Sequence, residues 1–151
     1  MIRDATREDL PEIVELGQQF FDESPFYCDL GYSREKIADL VLRLIESEDG
    51  FARVVEDANG ALTGIMIGIA QEHWASPAVV ASELGLFVQP SRRGSVLAAR
   101  LVGEFIAWGR ERGCVKCLAG SSTGINTDIC ARLYEHQGFK RNSIGLEYNY
   151  V

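Results

Sequence analysis

The sequence predicts one domain of mixed α/β class, and three observations carry that reading. Of 151 residues, 46% are hydrophobic and 25% charged, the composition of an ordinary folded domain. Apolar residues recur at helical spacing in some segments and alternate at strand spacing in others. One long helix lies between two strands, and such a crossover makes those strands parallel. A chain of this length buries roughly 70% of its unfolded surface and needs no disulfide or metal to hold it.

Ile2-Arg3-Asp4-Ala5 reads as a short first strand. Thr6 then caps a helix whose apolar stripe is Leu10, Ile13, Val14, Gly17, Phe20 and Phe21, ended by Asp22-Glu23-Ser24-Pro25. Ser33 caps a second helix with Ile37, Leu40, Val41, Leu44 and Ile45 on one face, closed by Gly50. Phe51 to Glu56 and Leu62 to Ala70 are strands joined by the turn Asp57-Ala58-Asn59-Gly60. Ala81 to Val88 is a fourth strand, with Leu84, Leu86 and Val88 on one face and Glu83, Gly85 and Phe87 on the other. Gln89 to Gly94 breaks it, and a long helix follows with Leu97, Leu101, Phe105 and Trp108 in register, ending at Gly113. The strand Cys114 to Ala119, a Gly/Ser/Thr loop and a short helix ending near Gln137-Gly138 come next. Closing strands are expected at Phe139 to Arg141 and Ile144 to Tyr150. With no repeat or linker, residues 1–151 read as a single domain.

Lys plus Arg total 15 and Asp plus Glu 22, a net charge of −7. That balance argues against coating nucleic acid and favours a cationic substrate or partner. No apolar run approaches the ~20 residues of a membrane span, and Met1-Ile2-Arg3-Asp4 opens no signal peptide, so no membrane partner and a cytoplasmic location are expected. Cys114 and Cys117 match C-x-x-C, but residues three apart on a strand face opposite ways. With His73 and His136 the only histidines, no metal site is expected, and all four cysteines read as reduced. Gly120-Ser121-Ser122-Thr123-Gly124 fits Gly-x-Ser-x-Gly, with Asp128 and His136 in hydrolase order, yet the chain lacks the larger sheet such enzymes use.

The informative junction runs from Val88 to Leu101. A strand ends, Pro90 turns the chain, and Arg93-Gly94-Ser95-Val96-Leu97-Ala98 opens a helix. A helix start offers unpaired N–H groups at the positive end of its dipole, and small residues there admit a phosphate. Val88-Gln89-Pro90 before Arg93-x-x-Val96-x-Ala98 resembles the V-x-P strand end and Gln/Arg-x-x-Gly-x-Gly/Ala motif of the GNAT superfamily, the acetyl-CoA-dependent N-acetyltransferases, with Val96 where the family usually has glycine. Ala131-Arg132-Leu133-Tyr134-Glu135-His136-Gln137-Gly138-Phe139 is similar to the family's A-x-x-L-Y-E-x-x-G-F signature, and the likeness covers essentially the whole chain.

The resemblance implies a mixed, mostly antiparallel sheet of about seven strands with four helices, parallel at the fourth and fifth strands. It implies acetyl-CoA as co-substrate: Leu86, Phe87 and Val88 offering backbone groups to the pantetheine arm, Arg93 and the amides from Gly94 through Ser95, Val96 and Leu97 to Ala98 holding the pyrophosphate, and Asn126 near a family asparagine that bonds the pantetheine. Tyr134 matches the tyrosine that protonates the leaving thiolate. Where some members carry a fifth-strand glutamate as base, this chain has Ser121-Ser122; a carboxylate on an otherwise apolar strand is costly to bury, which singles out Glu83, with His73 beside Glu72 in reserve. The acceptor is expected to be a small-molecule amine, drawn if cationic by Asp22, Glu23, Asp29 and Glu35, with Tyr27, Tyr32 and Trp74 available to line a closed pocket. A non-catalytic acyl-CoA sensor and a protein lysine or N-terminal acetyltransferase stay open as rivals. Dimers are common in the family, so a homodimer is admitted.

Overall fold

In the computed structural model, which describes residues 1–150, the alternating segments form one sheet of order β1-β2-β3-β4-β5. The strands β1 (Ile2–Asp4), β2 (Gly50–Glu56), β3 (Leu62–Glu72) and β4 (Val79–Val88) pair antiparallel in succession. The fifth, β5 (Lys116–Leu118), joins β4 in parallel, with Val80 opposite Lys116 and Ser82 opposite Leu118. Four helices complete the fold: α1 (Leu10–Glu23), α2 (Arg34–Glu46), α3 (Leu97–Glu111) and α4 (Thr127–His136).

The helices sort by sheet face because successive side chains of a strand point opposite ways. Ile65 of β3 packs with Ile13, Leu16 and Val41 under α1 and α2. Its neighbour Met66 packs with Leu101, Phe105 and Tyr134 under α3 and α4. Phe105 is fully buried and meets Phe51 edge-on, ring centroids 5.2 Å apart. Gly68 makes room for it, since a Cβ there would stand 2.6 Å from the Phe105 ring and 3.0 Å from the Ser82 carbonyl.

Several boundaries differ from expectation for local reasons. Thr6 precedes only a 3-10 turn at Arg7–Asp9, and α1 starts at Leu10 with Pro11 in its first turn, where the missing N–H costs nothing. Asp9 is held there by the Arg3 guanidinium at 2.7 and 2.9 Å and by the Thr6 N–H at 2.7 Å; chiefly the Arg3 contact draws its carboxyl down to about 2. The long helix opens at Leu97, after a left-handed Gly94 (φ 77°), and β5 is shorter than the expected Cys114 to Ala119.

Two corrections matter more. The expected seven strands are five, because Phe139 to Arg141 and Ile144 to Tyr150 form no strand. A strand exists only as part of a pair, and the chain beyond Phe139 hydrogen-bonds its backbone to no described residue. The second correction concerns β4. Opposite Ile67 and Gly68 stand Gly85 and Glu83, so Leu84 is an extra residue without a partner. This bulge inverts the alternation, placing Phe87 with the α1–α2 cluster but Leu86 and Val88 with Ala81 in the α3–α4 cluster. Glu83 consequently shares the α3–α4 face rather than that of Phe87.

Gly68→Ala is expected to cost about 1–3 kcal/mol, since neither a core ring nor a strand carbonyl can withdraw freely. A urea midpoint equal to that of the parent would refute the close approach.

Candidate active site

Pairing of β4 with β5 stops at Ser82 and Leu118, and from Glu83 to Val88 the strand pairs with β3 alone. The gap so opened is a cleft of 470 Å³ walled by β4, the start of α3, the loop after β5, and α4. Glu83, Leu86, Phe87, Val88, Arg93, Gly94, Ser95, Ala98, Asn126 and Tyr134 all line it. Val96 and Leu97 do not: Val96 is 67% exposed, and Leu97 packs against the Phe105 cluster. Glu72 and His73 lie at the β3–β4 turn, outside the cleft, so His73 is no reserve base.

Glu83 lies at the apolar end of this space. Its Oε2 accepts a hydrogen bond from the Gly120 N–H at 3.2 Å, and no cation pairs with it among the described residues. Burial therefore dominates, raising its carboxyl to about 7 against the smaller opposing pull of Gly120 and Tyr134. Tyr134, 5% exposed and edge-on to Phe139, approaches the same carboxyl without reaching hydrogen-bond geometry. Its hydroxyl is buried with no partner among the described residues, an uncommon state for a polar atom. Burial first, and the nearby carboxylate second, raise its phenol. Cys130 joins the group, its thiol pushed up by burial.

At the other end, the N–H groups of Gly94, Ser95, Val96 and Ala98 bond to no described residue. A row of free donors at a helix start has the geometry and dipole that suit an anion. Arg93, expected to add charge to it, is already engaged. Its Nη2 meets Glu23 at 2.6 Å, its Nε donates to the Val88 carbonyl at 2.9 Å, and its guanidinium lies over the Phe87 ring at 5.5 Å. Arg93 is thus a brace joining α1 to the end of β4. Asn126, left-handed at φ 45°, heads α4 with its side-chain amide unbonded among the described residues.

The wall opposite was only partly foreseen. Tyr27 lines the cleft and bonds the Ser122 hydroxyl, and the fully buried Ser24 donates to the Thr123 carbonyl at 2.6 Å. These two bonds tie the α1–α2 connection to the loop after β5, a contact between residues too distant in the chain for spacing to reveal. Tyr32 instead donates to the Val14 carbonyl at 2.8 Å beside Gly17, and Trp74 is 92% exposed at the β3–β4 turn. Of the acidic residues expected to draw an amine, Glu23 is spent on Arg93, and Asp22, Asp29 and Glu35 stand outside the cleft. The hydrolase pattern is not assembled, since Ser122 bonds Tyr27 and His136 bonds the Arg132 carbonyl. Among the described residues no three His, Cys, Asp or Glu side chains are placed to hold a metal, and no helix is long and apolar enough to cross a membrane.

The sequence matches the acetyltransferase (GNAT) family over residues 11–139. The chain belongs to that family. No curated protein matches it significantly in sequence. Among solved structures it is similar to aminoglycoside N-acetyltransferase AAC(6')-Iy bound to the bisubstrate analogue CoA-S-monomethyl-acetylneamine, at 18% identity and TM-score 0.78, over 100% of this chain and 97% of that one. Glucosamine-6-phosphate N-acetyltransferase from Arabidopsis thaliana aligns at 16% identity and TM-score 0.76, covering 100% and 98%. Aminoglycoside 6'-N-acetyltransferase AAC(6')-IG from Acinetobacter haemolyticus gives 13%, 0.76, 100% and 98%. At these identities the likeness is one of fold: this GNAT domain has a mixed sheet of five strands, parallel at β4 and β5.

The raised Glu83 carboxyl has a consequence for stability. An acid whose folded value (about 7) exceeds its unfolded one (4.5) keeps its proton longer in the folded state, so stability falls as pH rises between those values and levels off above them. Glu83→Gln removes that titration. Its melting temperature relative to the parent is expected to climb from pH 4.5 to pH 7; a difference independent of pH would show that the carboxyl is not perturbed.

Proposed function

We propose that this chain is an N-acetyltransferase, working as one domain over residues 1–151 in the cytoplasm, that passes acetyl from acetyl-CoA directly to a primary amine. The observation that carries the reading is one cleft with unbonded helix-start amides at one end and the Glu83–Tyr134 pair at the other. The donor set suits the co-substrate. The amides of Gly94 to Ala98 hold the pyrophosphate, with Arg93 bracing the turn that presents them. The unpaired edge of β4 from Leu86 to Val88 bonds the pantetheine arm, helped by Asn126.

The chemistry follows from proton positions. An ammonium cannot attack a carbonyl, and Glu83, near neutral in affinity, takes its proton. The neutral amine adds to the thioester carbon, and a backbone N–H of the β4 edge stabilises the oxyanion. Collapse breaks the carbon–sulfur bond and expels the CoA thiolate. Tyr134, whose O–H is committed to no acceptor, gives that thiolate a proton as it receives one from Glu83, so the buried phenolate never accumulates. The proton taken from the amine thereby ends on CoA. The Tyr27–Ser122 and Ser24–Thr123 bonds tie the α1–α2 connection to the loop after β5, a fixed wall that suits a small amine. Glu83 is the one carboxylate in the cleft, and with the net charge of −7 it attracts a cationic acceptor.

Free thiol released from acetyl-CoA over polyamines, amino acids, aminoglycosides and peptides reads the activity directly; silence across all four classes would leave an acyl-CoA sensor. Acetyl-CoA is expected to raise the melting temperature by mass action, and a truncated pantetheine thioester far less. Equal shifts would remove the phosphate site. Tyr134→Phe deletes a hydroxyl that bonds nothing, so its melting temperature should not fall while turnover drops about ten- to a thousand-fold. Glu83→Gln should cost on the order of a hundred-fold at neutral pH, and less at high pH where the amine is already neutral.

A further inference from the structure

Cys130 lines the same cleft as Glu83 and Tyr134 and takes no part in the proton path from amine to CoA. It lies one turn before Tyr134 on α4, and side chains four apart on a helix stand about 5–6 Å from each other on one face. Tyr134 is only 5% exposed, yet its hydroxyl meets no partner among the described residues, which leaves an opening for a polar atom of a ligand beside both side chains. Burial first, with the Glu83 carboxylate adding to it, raises the Cys130 thiol above its ordinary range. A thiol held protonated is slow toward solutes at large, but Glu83 is at hand to take its proton once a partner is seated. The other cysteines lack that setting. Cys28 is exposed, and Cys114 and Cys117 lie outside the cleft.

We propose that Cys130 is a modification site for disulfides of CoA, its Sγ ending in a mixed disulfide with the CoA sulfur. The inference rests on the cofactor placement proposed above. With the pyrophosphate on the amides of Gly94 to Ala98, the CoA sulfur reaches Tyr134 and so comes within a side chain's length of Cys130. The step is a thiol–disulfide exchange in which the incoming disulfide is itself the oxidant. Glu83 takes the Cys130 proton, the thiolate attacks the CoA sulfur, and the bond from that sulfur to its second thiol breaks. The departing thiolate collects the proton from Glu83 and leaves reduced, while Cys130 and CoA remain joined. A tethered CoA fills the cleft, so acetyl-CoA is shut out until a reductant releases it.

A pair of probes with one leaving group tests this on the parent chain: the mixed disulfide of CoA with methanethiol, and that of pantetheine with methanethiol. Intact-protein mass and peptide mapping read which cysteine gains the cofactor. The CoA probe is expected to label Cys130 on the order of a hundred-fold faster than the pantetheine probe, since only CoA carries the pyrophosphate that the helix-start amides seat. Exposed Cys28 should react equally with both. The labelled chain should lose the melting-temperature rise given by acetyl-CoA and regain it with dithiothreitol, whereas Cys130→Ser should keep that rise through the same treatment. A Cys130 left unlabelled, or labelled equally by both probes, would overturn the proposal. If acetyl-CoA still raises the parent's melting temperature in that case, this inference alone falls; if it does not, the cofactor placement falls with it.

Discussion

Everything functional in this molecule depends on two parallel strands parting company. Three residue pairs, from Val80 and Lys116 to Ser82 and Leu118, hold β4 to β5, and beyond them β4 keeps one side of its backbone unpaired. Exposed backbone is costly in a protein interior unless something arrives to bond it. Here α3 packs across the stretch where the two are still joined: Gly109 lets the helix lie so near that a Cβ there would stand 3.1 Å from both members of the Ala81–Cys117 pair. The parted strands, the helix start and the loop after β5 then enclose one space whose donors await a ligand.

Much of this was legible in the chain. Period told helices from strands, Asp57 to Gly60 marked the hairpin, and Val88-Gln89-Pro90 followed by Arg93-Gly94 located the helix start that became one end of the cleft. Glu83 stood out as a carboxylate among apolar neighbours, and burial is what perturbs it. Three things were out of reach for definite reasons. A bulge is an event between two strands, so no periodicity within β4 reveals that Leu84 has no partner. A side chain's partner is likewise invisible: Arg93 reads as a free cation in sequence and is a brace in space. The closing strands failed because strand pattern describes what a segment can do, while pairing depends on what lies alongside.

The electrostatics divide along the cleft. The two arginines before the helix start are paired, Arg93 with Glu23 and Arg92 with Asp57 at 3.5 Å, while the backbone dipoles there have no partner among the described residues. Such dipoles are fixed by the fold and need no flexible side chain to be ordered on binding. At the far end no compensating cation accompanies Glu83 among the described residues, and burial keeps its proton affinity near neutrality. The two ends thus use opposite devices, one adding donors without net charge and the other withholding a countercharge.

The single extra residue in β4 has an evolutionary corollary. Leu84 is itself 46% exposed, and its identity matters little to the packing. Its presence decides which way every later side chain faces, because one residue fewer between Ser82 and Gly85 would turn Glu83 or the Leu86–Val88 stretch to the opposite side of the sheet. Selection at this point therefore acts on the number of residues rather than their kind. Among descendants of this chain, Leu84 can change in kind, whereas the stretch around it is closed to insertion and deletion.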